Sequence, residues 1–152
     1  RREIPGIYAR NPSIILQNMD FSRYYRNRAQ LIYSFDLNIF LCKEHKTELF
    51  ELEPVFKRLF LEEMSMVAEA VYHAFGAEKM NYELLGNGDT HLHWHLFPRK
   101  ENDLGEYGNH GKGPVWWYPM EQMYDETNCP SPEELEKMKT ALKRELDKRI
   151  SE

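Results

Sequence analysis

The hydrophobic pattern changes period several times along the chain, and each change marks a different element. In residues 54–75, "PVFKRLFLEEMSMVAEAVYHAF", Phe56, Leu59, Phe60, Val67, Val71 and Phe75 recur at spacings of three and four, with Lys57, Glu62, Glu63 and Glu69 on the other positions. That spacing gathers the apolar side chains onto one stripe of a helix. Pro54 suits the first helical position, where its missing N–H is no loss, and Gly76 suits the stop. A second helix is expected over 131–150. There Ser131 is a good N-cap, Pro132 suits the first turn and Glu134 completes a capping box, while Leu135, Met138, Leu142 and Leu146 make a narrow stripe for docking.

Elsewhere the pattern favours strands. "AQLIYSFD" and "LNIFLCKEH" are apolar, β-branched and aromatic runs that meet around Asp36 and predict two strands. After the long helix, "MNYELLGN" predicts a strand ending at Gly86, and "THLHWHLFPR" a strand ending at Pro98. Residues 1–13 are irregular, and residues 100–119, rich in glycine and proline, predict an ordered loop. Strands on both sides of one long helix, mostly at hairpin-length gaps, give an α+β fold around an antiparallel sheet. No repeat or linker divides the chain, so residues 1–152 read as a single domain with an irregular N-terminal extension and a C-terminal helix.

Composition narrows the function. With 41% hydrophobic residues in 152 the chain can bury a real core. A net charge of -5 argues against a nucleic-acid partner, which needs a basic face, though one pocket can be locally positive. No apolar run approaches the roughly 20 residues that span a bilayer, and "RREIPGIYAR" has no apolar stretch behind its arginines. Cys42 and Cys129 are neither a disulfide framework nor a CxxC clip. These features predict a cytoplasmic protein with reduced thiols and no membrane partner.

The candidate chemistry lies in "GNGDTHLHWHLFPR", residues 86–99. Alternation on a strand puts His91, His93 and His95 on one face, and Leu92, Trp94 and Leu96 on the other. The sheet then buries one apolar side and presents a row of imidazoles about 6.5–7 Å apart on the opposite side. Two chemistries suit such a row. A His-x-His pair with one further ligand can hold zinc, but a third histidine in line sits too far from the first to share one tetrahedral ion. Asp89 is the sole flanking carboxylate to act as base for that reaction. Alternatively, a neutral imidazole attacks a phosphate ester and forms a covalent phosphoramidate. Neighbouring imidazoles then hold its tautomer, and the glycine-bearing turn lets backbone approach the anion. The second chemistry fits every feature of the stretch.

His91-Leu92-His93-Trp94-His95-Leu96-Phe97 resembles the histidine triad (HIT) motif, His-φ-His-φ-His-φ-φ with φ apolar, at all seven positions. Pro98-Arg99 resembles the usual continuation, and "MNYELLGN" and "IFLCKEHKTELFEL" resemble segments that precede the motif. "GPVWWYP" is similar to the tail of bacterial members described as diadenosine-polyphosphate hydrolases. The resemblance spans roughly residues 36–119. It implies a nucleotide hydrolase or transferase acting at the α-phosphate, without a metal or other cofactor, and a homodimer. By similarity, His93 is the nucleophile, His95 contacts phosphate oxygens and assists the leaving group, and His91 orients the row. Asn87 matches a phosphate-binding position, Gly86 and Gly88 belong to the same turn, and Asn81 matches an amide further upstream. Asp36 is the candidate for the ribose hydroxyls. Dinucleoside polyphosphates or nucleoside phosphoramidates are the implied substrates; a metal hydrolase and a nucleotide-binding regulatory module are the competing classes.

The chain departs from the family in places. Many members carry a fourth histidine at the start of the strand matching "NIFLC", where Leu37 and Asn38 stand here. His45 matches a histidine that follows a basic pair and is peripheral in the family. Outside the motif, His73 reads as a helix-surface or packing residue, and His110 and Lys112 as solvated loop. Arg23, Arg26 and Arg28 read as ordinary charged surface. Trp116 and Trp117 suit either a nucleobase stack or packing of the loop.

Overall fold

The computed structural model describes residues 38–42, 44–123, 125 and 130–150. The irregular start at 1–13, the strand expected over "AQLIYSFD", the arginine cluster, Asp36 and Cys129 lie outside the described residues. Within them, β1 (Asn38–Leu41) is followed by α1 (Pro54–Phe75), β2 (Lys79–Glu83), β3 (His93–Arg99), a short α2 (Met120–Met123) and α3 (Pro132–Ile150). The sheet order is β1-β3-β2, with β3 central and antiparallel to both neighbours. This is the α+β arrangement expected: an antiparallel sheet, one long helix on it and a closing helix.

The long helix ends where its sequence says it should. Glu53 caps the start by accepting from the backbone N–H of Val55 and Phe56 at 2.9 and 3.2 Å, with Pro54 in the first turn. Gly76 closes it in the left-handed conformation at φ +60°, which costs a residue without a Cβ little. Its inner face buries Phe60, Val67, Ala68, Ala70 and Val71 against Phe40, Met80, Leu92 and Leu96 of the sheet side. The rings of Phe40 and Phe60 stack with centroids 5.2 Å apart. α3 docks on α1 through Leu142 and Leu146. Its first turn carries the expected capping box: Ser131 N–H donates to Glu134 at 2.8 Å, and Glu134 N–H donates to the Ser131 hydroxyl at 3.3 Å.

β2 ends at Glu83, short of the Gly86 expected, and two further expectations need correction. The strand expected from Thr90 begins at His93. Residues just before it are tied instead to the segment after β1, with Leu92 N–H donating to the Lys46 carbonyl and Cys42 N–H to the Leu92 carbonyl. The second correction concerns the face opposite α1, which is not an open row of imidazoles. The segment from 100 to 123 folds back over it and builds a second core from Ile39, Phe97, Leu104, Val115 and Met123, with Leu41, Tyr107, Trp116 and Tyr118 at its margin. A glycine is required in that segment at 111, where a Cβ would meet the Glu106 carbonyl oxygen at 2.3 Å. The sheet is therefore covered on both sides, and His93 is only 9% exposed.

Candidate active site

Strand pairing decides which side chains meet. Residues directly opposite each other across antiparallel strands share a face. The register pairs Leu41 with His93, Ile39 and Glu83 with His95, Asn81 with Phe97, and Lys79 with Arg99. One face of β3 thus runs His93, His95, Phe97, Arg99, flanked by Ile39 and Leu41 on one side and by Asn81 and Glu83 on the other. His91 precedes the strand but is linked to the same end of the row.

In their neutral forms the imidazoles have their tautomers set by the hydrogen bonds, because a carbonyl can only accept. His91 Nε2 lies 2.8 Å from the Cys42 carbonyl and must donate to it. Its Nδ1 is then an acceptor, and it lies 3.2 Å from Nδ1 of His45, which donates. His93 Nδ1 donates to the backbone carbonyl of His91. The lone pair of His93 is thereby placed on Nε2, 3.1 Å from His95 Nε2, which carries the proton between them. His95 Nδ1 is left as a buried lone pair without a hydrogen-bond partner among the described residues. Burial, reinforced by the neighbouring His93, holds the His95 ring down at about 4. It is uncharged at neutral pH.

His45 is thus in contact with the triad rather than peripheral. Its ring centroid lies 5.3 Å from that of His91, tilted by 32°. No pattern near residue 45 announces this contact, since it depends on the backbone bonds that tie 42–46 to 92.

On the other side of His95 stands a cluster that the sequence reading did not assemble. Glu83 is half-buried, and burial pushes its carboxyl above the usual range. It accepts from the indole N–H of Trp116, whose ring lies 5.8 Å from His95 and 5.8 Å from Phe97. Trp117 is 63% exposed, so the two tryptophans have separate fates. Further along, Arg99 is buried and forks onto Asp103, with Nε and Nη2 at 2.9 and 3.0 Å from the two carboxylate oxygens. It also donates to the Tyr107 carbonyl at 2.7 Å and to the Asn81 side-chain oxygen at 3.3 Å.

The structure brings His91, His93 and His95 into one hydrogen-bonded group and sets the turn of Gly86, Asn87 and Gly88 immediately before it. Gly86 has φ +79°, Asn87 and Gly88 are exposed, and Asp89 accepts from the His91 N–H at 3.0 Å. Asn81 lies apart from the imidazoles, engaged with Arg99 in a cleft of about 440 Å³ lined also by Tyr82, Glu83, Asn109 and His110. Among the described residues, no three His, Cys, Asp or Glu side chains gather as a metal site. No described helix is long and apolar enough to cross a membrane.

Known structures place this arrangement. The chain superposes on a histidine triad protein from Sinorhizobium meliloti with a TM-score of 0.61 and 27% identity, covering 74% of this chain and 76% of the other. Histidine triad proteins from Bradyrhizobium japonicum and Marinobacter aquaeolei share the fold at TM-scores of 0.59 and 0.56, with 21% and 24% identity. The two alignments cover 74% and 76% of this chain, and 77% of each of the other chains. No family model and no curated protein matches the sequence. With its seven-position motif running into β3 of this fold, the chain shares the fold and the motif of the histidine triad proteins.

Proposed function

We propose that the protein is a nucleotide phosphohydrolase that works through a covalent nucleotide on His93. The observation that carries this reading is the direction of the His93 ring. Its Nδ1–H is held by the His91 carbonyl, so the nucleophilic lone pair sits on Nε2, the atom that faces His95. In the first step Nε2 attacks the α-phosphorus of a bound nucleotide, the N–P bond forms and the bond to the leaving group breaks. Positive charge grows on the ring as that happens, and the carbonyl facing Nδ1–H stabilises it. His95, uncharged and carrying its proton on Nε2, donates to a phosphate oxygen or to the departing group. Water then cleaves the N–P bond and releases the nucleoside monophosphate.

The turn of Gly86, Asn87 and Gly88 is suited to hold the phosphate oxygens, because glycine allows backbone N–H groups to approach an anion closely. We assign Asn81 a supporting role through Arg99, and Asp36 the ribose hydroxyls. Dinucleoside polyphosphates and nucleoside phosphoramidates are the substrates this mechanism fits. Incubation with a panel of both, in adenine and guanine forms, is expected to release nucleoside monophosphate and to continue at full rate after chelation. His93→Ala is expected to lower the rate by a factor of about 10⁴ or more while nucleotide binding persists. Undiminished turnover in that variant would end the proposal, and loss of activity on chelation would favour a metal hydrolase.

A further inference from the structure

The cluster around His95 contains more machinery than the histidine motif needs. His95 is paired across the sheet with Ile39 of β1 and Glu83 of β2, and its ring lies beside those of His93 and Phe97 on its own strand. Its remaining cover is the indole of Trp116, supplied by a short 3-10 turn, Val115–Trp117. That turn has no strand pairing to hold it in place. It is anchored by the apolar contacts of Val115, which is 1% exposed, and by the bond from the indole N–H to Glu83. Glu83 is itself fixed on β2, directly across from His95. A carboxylate on the sheet thus holds an aromatic lid from the loop over the ring beside it. The next residue, Trp117, projects to solvent, so the turn selects one of two adjacent indoles for this contact.

We propose that Trp116, clamped by Glu83, is a positioning residue for His95: it excludes water from the imidazole and holds it as the neutral tautomer with Nε2–H directed at His93. Two observations support this independently of charge. His95 Nδ1 is fully buried with no donor facing it among the described residues, so entry of water is the one change that would satisfy it. The indole lies tilted at 53° over the same ring. The low midpoint of His95 agrees with a site whose burial disfavours the charged ring, an effect to which the neighbouring His93 adds. The inference rests on the proposed function only for the consequence that His95 donates to the substrate; the effect on the ring stands without it.

The test reads the ring directly. In protein with ¹⁵N-labelled imidazoles, long-range ¹H–¹⁵N correlations report the tautomer and titration midpoint of each histidine. Trp116→Ala is expected to raise the His95 midpoint by about one pH unit or more toward the ordinary histidine value and to mix its tautomers. Trp116→Phe, which retains an apolar ring but lacks the N–H, is expected to shift it less. Glu83→Gln keeps an acceptor for the indole and is expected to leave the tautomer in place, whereas Trp117→Ala changes nothing at His95. An unchanged midpoint and tautomer in Trp116→Ala overturns the proposal. If that variant does not fold, the same result in Trp116→Phe overturns it. Turnover is measured beside these spectra. If His93→Ala stays active while the Trp116 variants shift His95, the catalytic reading fails and the positioning of His95 survives.

Discussion

On the side of β3 that faces α1, Leu96 is completely buried and Trp94 packs against the same apolar cluster, which includes Phe40, Val67 and Val71. On the side that faces the 100–123 segment, His93 and His95 each depend on one or two directional partners and Arg99 on three. The first face is stabilised by area, at about 25 cal/mol for each Å² of apolar surface removed from water, and many neighbours share it. The second is built from groups that are costly to bury unless each is satisfied. One strand therefore carries a tolerant face and an exacting one. The exacting face is held together by loop residues, Trp116 and Asp103, as much as by the sheet.

Substitutions on the two faces should separate in kind. Leu96→Ala opens a cavity in the apolar layer and is expected to cost about 2–5 kcal/mol of stability in chemical denaturation, with the tautomers of His93 and His95 retained. Altered tautomers in that variant would show that the two faces are not independent. Asp103→Asn leaves the Arg99 charge buried without its carboxylate, and a loss of about 2–4 kcal/mol is expected. Adding Arg99→Met should recover much of that loss, since the unpaired charge causes it rather than the missing bonds. If the double variant is as unstable as the single one, Arg99 is holding Asn81 and Tyr107 in place by more than charge.

The smallest effect concerns pH. His95 titrates at about 4 in the folded chain against an ordinary 6.5. Between those values the unfolded chain takes up a proton that the folded chain refuses. Its contribution is complete above 6.5, declines as pH falls through that window and levels off below about 4. The loss is at most about 3 kcal/mol and is reduced by solvent screening at a ring that is not fully enclosed. Glu83 works in the opposite direction, because its raised carboxyl gains stability as pH falls. Subtracting the pH profile of His95→Gln from that of the native chain isolates the histidine. Parallel profiles would mean that the ring is wetter than its burial implies.

The contrast between the faces also explains what could be read from the sequence. Elements whose cause is local were legible: the helix from Pro54 to Gly76, the capping box of Ser131 and Glu134, and the alternation that puts His93 and His95 on one face. The family motif followed from seven consecutive positions. What was not legible depends on chain segments that meet across the fold. Glu83 stands beside His95 only because of the β2–β3 register, and His45 reaches His91 only because 42–46 is tied to Leu92. Trp116 and Trp117 are adjacent and chemically identical, and only the turn at Val115–Trp117 turns one inward and the other out. The second core was hidden for a related reason, since a segment with Asn102 and His110 at positive φ has no hydrophobic period to detect.

The central claim, a nucleotide carried covalently by His93, is tested most directly by catching it. The protein is mixed with a dinucleoside polyphosphate or a nucleoside phosphoramidate, quenched within a turnover without acid, digested and read by mass spectrometry. The account predicts a single nucleoside monophosphate on the peptide containing His93, absent from His93→Ala. Steady turnover with no adduct on that peptide at any quench time, together with an active His93→Ala variant, would contradict it.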